Sequence, residues 1–501
     1  MLNKSDTKQP AKKVLIVAPY RTVAPHFETE LEIAQRHLDQ GDSVSFLSCT
    51  GQLTNCDFNV AKNETVCNDC RLRRQHGIQN LSRRVESAAF PVRDGSIEEN
   101  VRTLAPQHFV NVESLKRAKI DNYDVGYAAL SSLISQIRDP DFEPAEHTDA
   151  LLELSQAGLQ VYHHLVQRFE RDRPDVVYVF NGRFASMRAV LRACQKMGVD
   201  CLIHERACDS EHFQIWENQL PHDIEYTCKR MQTHWAEASG NEIERAAKAS
   251  AWYEGRVQGV ETNWFSFVKD QDKGRLPADW DPHDHNIAVF TTSEDEFVAI
   301  GDCWDNPMYP DQGEAIAKIA AALAEKRPDA KITVRMHPNL KGVDNRRVRR
   351  MKEFAFPNIR VIPPEVQVDS YQLMHSADTV VTFGSTLGIE AVYWGKPSVS
   401  LGQCFYQNLK GTYRPASHEE AIELLSKNLD PIKDHQALVY GFWHSTHGIK
   451  YKYFEPADLF TGRFKGQVIY PKQPKTLKRS FLRKVESIRK RVLPLKNRHA
   501  A

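Results

Sequence analysis

Short apolar runs alternate with amphipathic stretches along most of the chain. The first run lies within Lys13–Ala18 and predicts a buried strand. Helical spacing follows from about Glu28 to Gln40, with Gly41 as a stop signal, and then a second strand at Ser43–Leu47. Strand–helix–strand units of this kind build parallel sheets. The pattern breaks at 51–105, a polar, cysteine-containing stretch that reads as an insertion. Between Val110 and Phe169 it is mainly helical, with Leu152, Leu159, Tyr162 and Val166 on one face. The sheet pattern then resumes with a strand at Asp175–Phe180, a turn at Asn181-Gly182-Arg183, a helix from Phe184 to Met197 stopped by Gly198, and a strand at Val199–His204. From Glu217 to Phe267 the chain is helical again and rich in Trp and charge.

A second series starts at Asn286–Phe290. It continues with a helix at Gly313–Lys326, a strand at Lys331–Met336, and short strands at Ile359–Ile362, Thr379–Thr382 and Ser398–Leu401, with helices at Ser370–Ser376 and Leu387–Trp394. The expected fold class is α/β, with two Rossmann-like domains facing across a cleft. The expected division gives 1–50 and 106–216 to an N-terminal domain and 51–105 to the insertion. A helical bridge takes 217–283, a C-terminal domain 284–470, and a tail 471–501. Ligands of such sheets bind beyond the carboxyl ends of the strands.

Composition narrows the class. The 501 residues are 41% hydrophobic, enough to build real cores, and 66 basic against 65 acidic residues leave a net charge of +1. A global nucleic-acid footprint is therefore absent. There is no apolar run long enough to span a membrane, and Met1–Lys13 lacks the apolar core of a signal peptide, so a cytoplasmic location is expected. Among ten cysteines, six (Cys194, Cys201, Cys208, Cys228, Cys303, Cys404) are scattered and read as small hydrophobes. Cys49, Cys56, Cys67 and Cys70 lie close in sequence, and Cys67-x-x-Cys70 has a spacing that suits one zinc. The four read either as a structural zinc site or as reduced thiols. From Lys472 to Arg498 the chain is strongly basic, with Glu486 its only acid. Phe481, Leu482, Val485, Ile488, Val492 and Leu493 can share one helical face there. That tail reads either as a peripheral anchor on an anionic inner membrane or as a solvated extension.

The densest chemistry lies in Ala377–Gly402. A strand ends at Thr382, Gly384 permits a tight turn, and Ser385 and Thr386 open the next helix. Such a start either caps the helix or receives a phosphate on free N–H groups. Glu390, one turn on, can accept hydrogen bonds from ribose hydroxyls. Arg335-Met336-His337-Pro338 ends another strand of the same sheet, so His337 can donate to a phosphate at the same edge.

His337-Pro338, Ser385-Thr386, Glu390 and Gly395-Lys396-Pro397 together resemble capsule polysaccharide biosynthesis glycosyltransferases, including the bacterial Kdo transferases, and are similar to sialyltransferases with His-Pro and Ser-Ser/Thr motifs. The resemblance implies a GT-B architecture. It also implies a CMP- or UDP-linked sugar donor whose phosphate is held by His337, Ser385 and Thr386, with Arg335 and Gly384 beside them, and a glycan acceptor. UDP-N-acetylglucosamine 2-epimerases carry similar segments, so epimerisation is the alternative reaction. A non-catalytic component of a glycan export complex is the alternative role. On the N-terminal side, Pro25-His26 with Leu31, Ala34, Leu38 and Gly41 resembles the first motif of inverting transferases, where the loop histidine is the base. Asn181, Arg183, Glu205 and Arg206 end strands of that domain and face the cleft, as does Glu294 in the other. The base is either His26 or Glu205. With no Asp-x-Asp ending a strand, transfer is expected to need no metal, helix dipoles and basic side chains holding the leaving charge.

Overall fold

The computed structural model describes residues 10–20, 24–92, 95–433 and 435–469. The basic tail lies outside them. The N-terminal half opens with β1 (Lys13–Ala18), α1 (His26–Gln40) and β2 (Ser43–Ser48), followed by α2 (Glu64–Gln79) and β3 (Glu86–Ala89). Helices α3 (Gly95–His108), α4 (Val112–Lys116), α5 (Val125–Ile137) and α6 (Thr148–Arg171) lead into β4 (Val176–Phe180), α7 (Ala185–Met197), β5 (Asp200–Arg206) and β6 (His212–Glu217). Gly41 and Gly198 close α1 and α7 in the left-handed region, at φ 93° and 63°, as the stop signals require. Next come α8 (Ile224–Glu237) and α9 (Glu242–Gln258), the helical bridge.

The C-terminal half runs β7 (His285–Phe290), α10 (Gln312–Lys326), β8 (Ala330–Arg335), α11 (Arg346–Lys352), β9 (Ile359–Ile362), α12 (Ser370–Ser376), β10 (Thr379–Thr382), α13 (Leu387–Tyr393), β11 (Ser398–Ser400), α14 (His418–Leu425) and α15 (Gln436–Thr446). It ends in β12 (Ile449–Lys450), β13 (Phe454–Pro456) and β14 (Gly462–Phe464).

Two parallel sheets organise the molecule, giving the expected pair of Rossmann-like domains. Their strand orders are β12-β6-β5-β4-β1-β2-β3 and β11-β10-β7-β8-β9. All pairings are parallel except those of β6 with β5 and of β12 with β6. Side-chain alternation covers both faces of each sheet. Leu15 and Val17 pack under α5–α7, whereas Val14 and Ile16 meet Phe27 and Leu31 of α1. Likewise Ile287 and Val289 face α10, while Ala288 and Phe290 face α12.

Two boundaries differ from expectation. Segment 51–105 is not a separate insertion, because β3 pairs with β2 as the edge strand of the N-terminal sheet. Its polar composition hid a short strand whose residues stay mostly exposed. The chain after α15 also leaves the C-terminal domain. Ile449–Lys450 pairs with β6, and Tyr451, Phe454 and Phe464 join the core beneath α1. Buried Glu32 of α1 anchors this return by accepting the N–H groups of Lys452 (2.8 Å), Tyr453 (2.7 Å) and Phe454 (3.0 Å). No helix of the described residues is long and apolar enough to cross a membrane.

Candidate active site

Each sheet has one point where successive crossovers diverge. In the N-terminal sheet it lies between β1 and β4, in the other between β7 and β10. Crevices at the carboxyl ends of such strands are where ligands bind in this architecture.

The C-terminal crevice holds the loops that the sequence singled out. Thr291 and Thr292, just after β7, lie beside them. Thr291 Oγ1 accepts His337 N at 3.0 Å, and a Cβ placed on Gly384 would lie 3.9 Å from Thr292 Cγ2. Gly384 sits at φ +109°, and the same added Cβ would come within 2.4 Å of Gln403 O, so only glycine fits the turn. Ser385 and Thr386 N–H groups donate to no described protein acceptor. His337 Nδ1 accepts Asn339 N at 3.2 Å, which puts the ring proton on Nε2. Burial, then Arg335, Arg256 and Arg138, push the imidazole down to about 4. It is therefore neutral at pH 7, with Nε2–H as a donor.

Arg256 was not legible in the sequence. It reaches from the last turn of α9 to Thr386 Oγ1 (3.2 Å) and Glu390 Oε1 (3.1 Å). Glu390 departs from its expected role. It is fully buried, and its carboxylate accepts Arg256, Thr386 Oγ1 (2.8 Å) and Tyr371 Oη, leaving no face for a ribose. Arg335 departs as well. It is buried, donates to Pro363 O at 2.7 Å, and bears on the site through its charge.

At the N-terminal crevice His26 opens α1 and stacks on Phe180, ring centroids 3.6 Å apart. It lines a cavity with Tyr20, Glu30 and Met187 that has room for about one water. Burial, then Arg206 and His204, hold its pKa well below the usual imidazole range. Asn181, in the left-handed region at φ 61°, donates from Nδ2 to Glu205 Oε1 at 2.6 Å. Burial raises the Glu205 pKa against the pull of that hydrogen bond. Arg183 crosses to the other domain, donating to Glu296 O at 2.7 Å. Arg206 does not face an open site. Its guanidinium pins the carbonyls of Ala24 (2.9 Å), Leu459 (2.7 Å) and Asn263 (3.2 Å).

Further contacts draw the two domains together. Arg138, at the end of α5, pairs with Asp295 at 2.5 Å and reaches Asn339 O at 3.2 Å. Arg347 pairs with Asp141 at 2.6 Å. It also takes Glu294 Oε1 at 2.6 Å, so Glu294 is a structural ion pair and not a cleft carboxylate. Of Glu294, Asp295 and Glu296, consecutive acids after β7, Glu296 is the exposed one. Surrounding protein pushes it up to about 7, helped by Asp295, and Asn339 Nδ2 donates to it at 2.6 Å. Asp57, inside the supposed insertion, is pushed by burial up to about 6 and lies near Arg183. No motif marks Asp57.

No three of the four clustered cysteines bring their sulfur atoms within 4.8 Å of one another. Tetrahedral thiolates about 2.3 Å from zinc would sit roughly 3.8 Å apart. Among the described residues, only Cys208, Asp209 and His212 bring three potential ligand atoms within 4.8 Å of one another. Cys67 Sγ instead accepts Asn59 Nδ2 at 3.2 Å, and Cys49 Sγ accepts Gly51 N at 3.2 Å.

Buried imidazoles predict an acid-sensitive fold. His222, His337 and His444 are pushed down to about 3, about 4 and about 3 by burial, and His447 well below its ordinary value. In the unfolded chain each titrates near 6.5. Between about pH 6.5 and pH 4 the unfolded state thus binds more protons, and stability falls as pH drops. Urea unfolding should show a lower midpoint at pH 5 than at pH 7, and little change between pH 7 and 8.

Residues 291–420 match the family model described as capsule polysaccharide biosynthesis protein. The match starts just after β7 and ends in α14, so it contains His337, Gly384, Ser385, Thr386 and Glu390, and it bears out the motif resemblance over that span. Similar solved structures include the β-Kdo 2,4 transferase of Thermosulfurimonas dismutans KpsC, 14% identical, covering 55% of this chain and 80% of that one, with a TM-score of 0.36. The β-Kdo 2,7 transferase of the same protein is 16% identical over 56% and 79%, at a TM-score of 0.33. The UDP-GlcNAc 2-epimerase of Neisseria meningitidis is 12% identical over 86% and 97%, at 0.27. No curated protein sequence matches the chain.

Proposed function

We propose that the chain transfers a sugar from a CMP- or UDP-linked donor to a glycan acceptor of a surface polysaccharide, without a metal. One observation carries this reading. His337 Nε2–H and the free N–H groups of Ser385 and Thr386 belong to two loops at the same sheet edge, and Arg256, which touches Thr386, also bears on the His337 ring. Arg256 stands beside them, and Arg138 and Arg335 add positive charge. Neutral donors surrounded by cations suit a phosphate that gains charge as its sugar leaves.

The opposite crevice supplies the base. His26 is held neutral far below its usual range, which makes it a weak proton acceptor. Glu205, with its pKa raised by burial and Oε1 fixed by Asn181, is the carboxylate placed to act as base. The acceptor hydroxyl gives its proton to Glu205 and its oxygen bonds to the anomeric carbon. The bond from that carbon to the phosphate oxygen breaks, and the nucleotide departs with the electron pair. The same reading has the chain act in the cytoplasm, at the inner membrane face.

A panel of CMP- and UDP-sugars incubated with oligosaccharides tests it. Nucleotide release that requires both partners is expected. An epimerised sugar nucleotide formed without acceptor would make the chain an epimerase, and binding without turnover would make it a carrier.

A further inference from the structure

Among the described residues, Trp264 and Phe267 are the two exposed Trp or Phe side chains, 46% and 37% exposed. They stand three residues apart on the loop that follows α9. Water-exposed rings of this size contribute little to folding where they stand. Their place in the molecule gives them another use.

The Arg206 guanidinium lies 5.4 Å from the Trp264 ring and 5.1 Å from that of Phe460. Arg206 follows Glu205 on β5 and donates to Ala24 O, two residues before His26. Trp264 thus borders the side where a proton acceptor is proposed. At the other end of the loop, the Phe267 ring meets His337 edge-on, centroids 4.9 Å apart. The two rings therefore stand on one loop with Phe267 beside His337 of one domain and Trp264 beside Arg206 of the other.

The loop is also held in place. Asn263 O accepts Arg206 Nη1 at 3.2 Å, and Asn263 Nδ2 donates to Ala207 O at 2.7 Å. Phe265 packs on Phe460 with centroids 5.2 Å apart. Aromatic faces fixed before binding lose little entropy when a ligand stacks on them.

We propose that Trp264 and Phe267 form a stacking platform for pyranose rings of the acceptor glycan, the rings' C–H faces lying on the aromatic planes. The proposal rests on the transferase reading for its substrate class. A pyranose suits the site because the platform runs away from His337 toward Arg206 and the N-terminal half. A nucleobase held only at the donor end would have no use for Trp264 beside Arg206.

Calorimetric titration without any nucleotide separates this proposal from the reading it rests on. The probes are maltohexaose, chitohexaose and a sialic acid hexamer, titrated into the full chain and into Trp264→Ala, Trp264→Phe and Phe267→Ala. At least one oligosaccharide should bind. Each alanine variant should weaken that binding tenfold or more, Trp264→Phe should recover most of it, and CMP and UDP affinities should stay unchanged in Trp264→Ala. The platform is overturned if no probe binds the unaltered chain, if the alanine variants bind like it, or if Trp264→Ala weakens the nucleotide instead. Aromatic-dependent glycan binding in a chain that binds no nucleotide would keep the platform and overturn the transferase reading.

Discussion

Glu205→Gln is expected to lower acceptor-dependent nucleotide release by about 10²- to 10⁴-fold, the range for losing a positioned general base. Glutamine keeps the shape of the side chain and still accepts from Asn181 Nδ2, so the 2.6 Å contact survives. Only the proton-accepting carboxylate is lost. Nucleotide affinity should be unchanged, because that site belongs to the other domain. The wild-type rate should rise with pH along a limb set above the ordinary carboxylate range, since burial raises the Glu205 pKa and the working form is deprotonated. That limb should disappear in the variant. His26→Ala should cost less, its ring being stacked on Phe180 and shut into a cavity the size of a water. A Glu205→Gln enzyme with the wild-type rate would move the base to Asp57, the other N-terminal carboxylate whose pKa is raised.

The second large effect is on stability. Arg73 of α2 and Glu28 of α1 are 2% and 1% exposed, and one guanidinium nitrogen meets both carboxylate oxygens at 2.5 and 2.6 Å. Arg73→Ala would leave a buried carboxylate without this partner, at a cost of about 3–5 kcal/mol. It would also remove the cation from the face of Phe27, 5.6 Å away. Chemical denaturation should show the loss directly. The double variant Arg73→Met, Glu28→Leu should recover most of it, because an apolar pair leaves no charge stranded. An Arg73→Ala protein as stable as the wild type would mean that α2 does not hold to α1 through this pair.

Much of the fold was legible because both sheets are built mainly of buried parallel strands, most of them a short apolar run before a helix, with Gly41 and Gly198 as stops of α1 and α7. Thr379–Thr382, Ile359–Ile362 and Ser370–Ser376 fall where the pattern puts them. Strand β3 was not legible, because an exposed edge strand carries no apolar run. The return of residues 449–464 to the first domain was hidden too. It depends on Glu32, a buried acid that is indistinguishable by sequence from a solvated helix residue.

The site divides in the same way. Loops at strand ends were visible, so His337, Gly384, Ser385 and Thr386 stand where expected. Partnership was not visible. Glu390, Arg335, Arg206 and Glu294 all lie near the crevices, yet each is taken up by a neighbour supplied from far along the chain or from another element. Arg256 comes from the bridge, where a basic residue in a helix's last turn looks like ordinary dipole complementation.

The donor site is the centre of this account, and calorimetric titration of CMP and UDP into the wild-type chain and His337→Ala tests it most directly. One nucleotide should bind the wild type, and the alanine variant should bind it at least tenfold more weakly at pH 7, with an unchanged unfolding midpoint. Equal affinity in the two proteins would contradict the assignment of the phosphate to His337 and the Ser385-Thr386 loop.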